Sequence, residues 1–500
     1  MFSRILRHWA IYSNWRFWLL QSSLFILLGA LGCGGSGQTV ATGGPTPTPI
    51  PTATPTPIPS STPLTQNCGA AAQSHRVIAY ESPLALDGSN NFISFNVWSI
   101  NSDCSGNTPL THLSVANTGG ASLAWSPDGT KLLYDSNRSL DGTDTLISGC
   151  LLSGFPLAGN AWVMNADGSG NLPLTSHTCD VISSAAWSPD GQKIAFISNA
   201  NLDNSDPSDV TAFDSATSNI WSMNADGSGA TPLTQISSPG IGNSEGPMWS
   251  PDGTKIVYSS IRALDGSSRN NPFRNRNIWV MNADGSGSTP LTQLTALLPS
   301  GGDSCYSPHW SPDGTQIAMI CIRPLDGTEN GDAGNNLWIM NADGTGARPL
   351  TTFLRAFVEE PILLDGTFAV QSNIQIWSPD GSKIAFISSG SLDGGDGNSQ
   401  NSLNLWVINR DGTGATPLTT IVSLRPPPAP LTCSTCLVGV NDFAWSPDGT
   451  QLAFISDMNR DGSIQPPRAF NLWVVNADGS KLTVLTNLTS GEVVLPRWKP

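Results

Sequence analysis

Apolar and polar positions along this chain recur in one block, seen clearly between residues 186 and 234. Ala186-Trp187-Ser188-Pro189-Asp190-Gly191 reads as a short strand running into a turn: Pro189 presets φ, Asp190 caps locally, and Gly191 takes the left-handed conformation. Lys193–Ser198, KIAFIS, follows as a second strand, with Ile194 and Phe196 alternating toward one face. After a variable loop, Asn219–Asn224, NIWSMN, predicts a third strand, then comes the Ala225-Asp226-Gly227 turn and a fourth strand around residues 231–234. The block predicts a four-stranded antiparallel meander.

The tryptophans count the blocks. Three of seventeen (Trp9, Trp15 and Trp18) lie in an apolar N-terminal segment, and the other fourteen form two series of seven. Trp125, Trp187, Trp249, Trp310, Trp377, Trp445 and Trp498 make the first, and the first six of these begin the word WSPDG. Trp98, Trp162, Trp221, Trp279, Trp338, Trp406 and Trp473 make the second, each just before a segment like MNADGSG and then PLT. Spacings in the first series are 62, 62, 61, 67, 68 and 53 residues, longer than the 40 to 50 usual for a propeller blade, so the surplus is assigned to loops. Seven such sheets set radially would bury a pair of indoles between each two neighbours.

No WSPDG precedes residues 76–80, RVIAY, which match KIAF; the missing inner strand is found at residues 493–498, VVLPRW. The predicted fold is therefore all-β, a seven-bladed β-propeller closed by pairing of the N- and C-terminal strands, which hides the edges of a linear array. The WSPDG/KIAF/NIW/NADG/PLT series over residues 76–500 resembles the TolB-type propeller repeat. TolB itself resembles a six-bladed ring preceded by an α/β domain, whereas seven repeats here follow a proline-rich stalk. The resemblance implies the fold; a TolB-like assembly role would further imply co-purification with a peptidoglycan-associated lipoprotein.

Three segments are expected. Residues 1–32 hold Arg4, Arg7 and Arg16, then an apolar run from Phe17 to Leu31 broken at Gln21, Ser22 and Ser23, and Gly32 precedes Cys33. This resembles a bacterial lipoprotein signal, which implies lipidation of Cys33; a cleaved secretory peptide or a single spanning helix is the alternative. Residues 33–67 form a Gly/Pro/Thr-rich linker, in which PTPTPIPTATPTPIPSSTP (45–63) reads as an extended polyproline-type stalk of roughly 60 Å at ~3.1 Å per residue. Residues 68–500 form the propeller. The expected location is therefore periplasmic or cell-surface, with membrane attachment through the lipid.

Charge changes the picture of partners. The formal net charge is −15, and the first 32 residues carry three arginines and no acid, so the remainder has 20 basic against 38 acidic residues. No basic stripe is left for a phosphate backbone, which argues against nucleic acid. Fifty glycines, 38 prolines and 12% charged residues favour turn-rich β-structure.

Apart from Cys33 there are eight cysteines, an even number in an exported chain, so a disulfide framework is expected. On the propeller map Cys68 and Cys104 share the tight-turn rim of the first repeat, where Cys104 replaces the glycine of an NADG turn. Cys150 and Cys179, Cys305 and Cys321, and Cys433 and Cys436 are placed in loops of the opposite rim. Cys433 and Cys436 form a CxxC; without a second CxxC, a thioredoxin-like pattern or a nearby histidine, a structural bridge outweighs redox or zinc chemistry.

Candidate chemistry is sparse. Gly242-Asn243-Ser244-Glu245-Gly246 fits GxSxG, but a nucleophile elbow needs a strand before its serine and a helix after it, and here a loop precedes and a strand follows. His8, His75, His112, His177 and His309 are scattered, so no catalytic residue is assigned. Asp457, Asn459 and Asp461 in DxNxDG offer alternating oxygen ligands for calcium, the one cofactor the sequence suggests; Arg468 stands at position twelve instead of glutamate, and a plain turn is the competing reading.

Every long insertion is assigned to the rim opposite the PDG and ADG turns: residues 135–159, 197–218, 259–276, 352–373 and 420–442. Loop-rich faces on rigid scaffolds carry binding more often than uniform turns. The expected function is a monomeric binding scaffold for an envelope protein or polysaccharide. The alternative is a propeller enzyme or enzyme-associated domain of peptidase or oligosaccharide-lyase type.

Overall fold

The computed structural model describes residues 76–83, 94–115, 122–141, 159–178, 182–205, 218–237, 244–267, 275–295, 304–322, 335–353, 376–389, 402–421, 438–458, 469–488 and 491–500, with short pieces at 151–152, 155–156, 269–270, 297–298, 301–302 and 358–359. All belong to one compact unit, Pro63–Leu363 with Phe368–Pro500. Within them the protein is all-β, and no helix is long and apolar enough to cross a membrane.

The repeat read at residues 186–234 folds as a meander. Ser183–Trp187 pairs with Lys193–Ser198, which pairs along its whole length with Asn219–Asn224, from Lys193 opposite Asn224 to Ser198 opposite Asn219. Thr231–Pro232 closes the outer edge, with Pro232 opposite Trp221. The fourth strand is thus shorter than expected. Its neighbour Thr234 serves a different purpose, described below.

Among the described residues five sheets have this four-stranded form, and a nine-stranded sheet holds two further meanders, built on Lys383–Ser388 and on Gln451–Ser456. Parallel pairing of Ser402–Asn409 with Val438–Trp445, at Ser402 opposite Val438, joins those two. The expected alternation in KIAFIS is not how it is buried: after Lys193 every residue is inaccessible, because neighbouring sheets cover both faces. The first sheet is made from both ends of the chain. Val77–Ser82 pairs on one side with Asn96–Asn101 and on the other with Val494–Trp498, placing Ile78 opposite Trp498.

The two tryptophan series do different work. In the first, six of the seven indole N–H groups reach the backbone of the preceding sheet, donating to the carbonyl just before that sheet's own tryptophan. Trp125 donates to Arg497, Trp187 to Ala124, Trp249 to Ala186, Trp377 to His309, Trp445 to Ile376 and Trp498 to Ala444, at 3.0–3.3 Å. Trp310, whose counterpart would be Met248, breaks the series: its buried Nε1 has no hydrogen-bond partner among the described residues. The second series packs instead of donating. The buried Nε1 atoms of Trp98, Trp162, Trp221, Trp279, Trp406 and Trp473 have no such partner, and three of these rings stack on the aromatic opposite, in Tyr258–Trp279, Phe386–Trp406 and Phe454–Trp473, at 6.3–6.5 Å. Burying each ring contributes about 4–6 kcal/mol before ordering costs.

A buried polar clasp fixes the outer half of every meander. Asn219 donates from Nδ2 to the Ile236 carbonyl at 2.9 Å, and its Oδ1 accepts from the Ile236 N–H and the Thr234 hydroxyl, both at 2.9 Å. The Thr234 hydroxyl accepts in turn from the Ile220 N–H at 2.9 Å. Asn96 with Thr111, Asn160 with Thr175, Asn277 with Thr292, Asn336 with Thr351, Asn404 with Thr419 and Asn471 with Thr486 repeat it at the same sequence offset of 15. These are the asparagine of NIW and the threonine of PLT. Their invariance follows from the cost of leaving buried polar groups unsatisfied.

Candidate functional site

The two ends of the strands differ in chemistry. At the tight-turn end the aspartates are consumed by their own turns. In SPDG the Ser126 hydroxyl and the Thr130 N–H donate to Asp128 Oδ1 at 2.6 and 3.0 Å, and Lys131 N–H donates to the Ser126 oxygen at 2.9 Å. These donors hold the Asp128 carboxyl down to about 2. In NADG the Ser228 hydroxyl and N–H donate to Asp226 Oδ1 at 2.6 and 2.9 Å, again lowering its pKa. Arginines staple some of these turns across sheets: Arg410 to Asp313 at 2.7 Å, and Arg76 to Asp448.

The turn glycine seals adjacent sheets. At Gly227, φ is +85° and an added Cβ would lie 2.6 Å from the Leu174 carbonyl of the preceding meander; Gly168 and Gly285 meet Leu110 and Leu233 the same way. Cys104 occupies this position in the first repeat with φ 67°, as its place in the sequence predicted.

At the other end, charged side chains enter the interior. Glu81 is the fifth residue of Val77–Ser82, 1% exposed, and neither carboxylate oxygen has a hydrogen-bond partner among the described residues. Burial pushes its pKa well up, the charge of Asp135 pushes further, and Arg497 pulls back. Arg497 and Asp442, both buried, pair at 3.4 Å, and burial raises Asp442 despite the arginine. Arg138 lies 3.9 Å from the centroid of Trp162, and Arg262 lies 4.8 Å from that of Trp279, each two residues beyond the serine that ends its strand. Glu245 and Arg276 form an ion pair at the same end. None of these charges was singled out from sequence. The signal was departure from the repeat: Glu81 stands where Ile197, Ile387 and Ile455 stand, and Arg497 where Ala124, Ala186 and Ala444 stand.

The predicted site residues are only partly brought together. Cys305 and Cys321 form a disulfide, but not between loops: they lie directly opposite each other in Ser304–Trp310 and Gln316–Ile322, Cα atoms 4.1 Å apart and both fully buried. The loop placement is corrected because both strands extend further from the tight turn than the repeat pattern suggested. Cys104 is also disulfide-bonded. Cys33, Cys68, Cys150, Cys179, Cys433 and Cys436 lie outside the described residues, as do Asn459 and Asp461. Asp457 is buried, and its Oδ1 accepts from the Gly439 N–H at 2.7 Å. No group of three His, Cys, Asp or Glu placed to hold a metal occurs among the described residues.

Ser244 of the GxSxG match begins the strand Ser244–Trp249 and is buried, its hydroxyl 3.5 Å from that of Ser260. The backbone is left-handed at Gly246, a bulge shared with Ser184, Ser307 and Leu495, each three residues before a tryptophan. His309 is buried among apolar groups, which lowers its pKa to about 4, so its imidazole is neutral at pH 7.

This geometry defines the class: an all-β protein of repeated four-stranded meanders whose first sheet is completed by the last strand. No family model matches the sequence. The chain is similar to the uncharacterized peptidase YuxL of Bacillus subtilis (strain 168), 30% identical over 138 residues that make up 28% of this chain and 16% of the peptidase. The match therefore spans a small part of that relative. Among solved structures, a puromycin-hydrolyzing peptidase of Mycobacterium tuberculosis superposes with a TM-score of 0.52 at 14% identity, over 86% of this chain and 55% of the peptidase. TolB from Acinetobacter baumannii gives 0.42 at 15% identity, over 81% of this chain and 79% of TolB.

Proposed function

We infer that this protein is an exported, lipid-anchored β-propeller of seven blades that binds an envelope protein or polysaccharide through the face bearing its long connections. The observation that carries the reading is the asymmetry between the two strand ends. One end is a repeated set of turns whose carboxylates are already satisfied within the turn. From the other leave connections of unequal length, such as residues 199–218 and 422–437, and charged side chains depart from the repeat there. Satisfied, uniform surfaces offer a partner little, whereas variable connections on a rigid frame offer shape and chemistry. The indole-to-carbonyl series supports the closed arrangement, because Trp125 donates to Arg497 of the terminal strand and Trp498 donates to Ala444. The signal-like segment ending at Cys33 and the buried Cys305–Cys321 bridge support export.

The test is a comparison of full-length protein with a variant shortened within residues 422–437, using purified envelope polymers and envelope extract as baits. Loss of binding in the shortened variant, with unchanged melting, supports the face assignment. Equal binding by both rejects it.

The 138-residue likeness to a peptidase supports a second reading, a propeller belonging to or working with a peptidase. It predicts turnover of chromogenic peptide substrates by the purified chain. Absence of turnover, with binding retained, favours the scaffold.

A further inference from the structure

The seam where the chain closes on itself holds charges that the corresponding positions of most other repeats lack. Arg497 lies opposite Ala79 in the pairing of Val494–Trp498 with Val77–Ser82, and its guanidinium contacts Asp442 of the preceding sheet. Glu81 lies two residues beyond Ala79, opposite Val97 on one side and Val494 on the other. From the sheet containing Lys131–Ser136 the groups facing it are Tyr134, Asp135 and Arg138; Tyr134 is raised chiefly by burial, with Arg138 lowering it and Glu81 raising it. Asn96–Asn101 contributes no titratable group.

Burial and neighbouring charge decide the state of the cluster. Among the described residues, the half-buried Asp135 repels a charge on Glu81, and Arg497, which attracts it, already pairs with Asp442. A buried carboxylate without a hydrogen bond is strongly disfavoured. Asp442 accepts from the Phe443 N–H at 2.7 Å and pairs with Arg497, whereas the Glu81 oxygens have no hydrogen-bond partner among the described residues. Glu81 is therefore the group that keeps the proton.

We propose that Glu81 is a protonation latch on the terminal strand: neutral, it lets residues 494–498 lie against residues 77–82, and ionised, it reaches water only by releasing that strand. The direction follows from linkage. The folded pKa of Glu81 lies above its unfolded value of about 4.3, so the folded chain holds a proton that the unfolded chain releases. Its share of stability is greatest below about pH 4.3 and declines as pH rises toward the folded pKa. This is opposite in sign to the turn aspartates, whose lowered pKa values stabilise above their unfolded pKa and fail only in acid.

The experiment is amide hydrogen exchange on the full chain at pH 6 and pH 9, taking the ratio of opening in residues 494–498 to opening in Lys193–Ser198, so that the intrinsic effect of pH cancels. In the unmodified protein the ratio should rise by about tenfold or more, a free-energy change equal to one pKa unit. In Glu81→Gln it should stay flat. Asp442→Asn, which removes the ion pair between Asp442 and Arg497, should raise the ratio at both pH values and keep the rise. A ratio independent of pH in the unmodified protein, or an equal rise in Glu81→Gln, overturns the proposal.

Discussion

Trp498, two residues from the end of the chain, donates its indole N–H to the carbonyl of Ala444 at 3.0 Å, the same link that Trp187 makes to Ala124 and Trp445 to Ile376. A strand more than 400 residues away from its sheet partners in sequence thus occupies the place that a WSPDG strand fills elsewhere. Ring stacking and area alone would tolerate phenylalanine there. The hydrogen bond is what makes the indole specific.

Replacing Trp498 by phenylalanine should therefore cost more than the same change at Trp310, whose nitrogen has no partner among the described residues. Both lose similar area, but only the first also gives up a buried hydrogen bond, to a carbonyl whose residue stays paired with Ala453 in the ladder, an added cost of about 0.5–1.5 kcal/mol. Urea unfolding of the two variants measures the difference; equal losses would show that packing, not the link, sets the tryptophan.

The clasp makes a second contrast. Asn219→Ala leaves the Thr234 hydroxyl and the Ile236 N–H and carbonyl without their partner in a buried place and should cost about 3 kcal/mol or more. Asn224→Ala, four residues before the exposed Ser228 that it contacts at 3.0 Å, should cost under about 1 kcal/mol. Chemical denaturation compares them directly.

Gly227→Ala meets both a left-handed backbone and the Leu174 carbonyl at 2.6 Å, so a loss of about 2–4 kcal/mol is expected. Gly191 has φ +68° but nothing nearer than 3.7 Å, and its alanine variant should lose only about 1–2 kcal/mol. Thermal melting of the pair separates backbone strain from contact between sheets.

The Cys305–Cys321 bridge closes a separation of 16 residues between two strands already paired, and both sulfurs are fully buried. Replacing both cysteines by alanine should lower stability by about 2–4 kcal/mol. Free-thiol titration of the folded protein with a mild reductant should find the bridge intact, and release of both thiols without unfolding would contradict its burial.

The fold was legible because it is written seven times. Each meander uses the same turn words, and Asp-Gly turns, β-branched runs and tryptophans act locally enough to be read without neighbours. Even the split first sheet followed from a count, since residues 76–80 lacked an inner strand and residues 493–498 supplied one. The chemistry beside the paired terminal strand was not legible. Glu81 and Arg497 looked like ordinary variation in a strand, because a charge in an alternating pattern reads as solvent-facing.

What the sequence by itself determined was the unit, its repetition and its missing strand, all properties of short-range order. Only the tertiary structure decided that both faces of each sheet are covered, that one tryptophan series donates while the other packs, and that Glu81, Asp442 and Arg497 share one dry seam. Burial is set by sheets that lie far apart along the chain, and the free energy of a charge or an indole N–H depends on that burial more than on its neighbours in sequence.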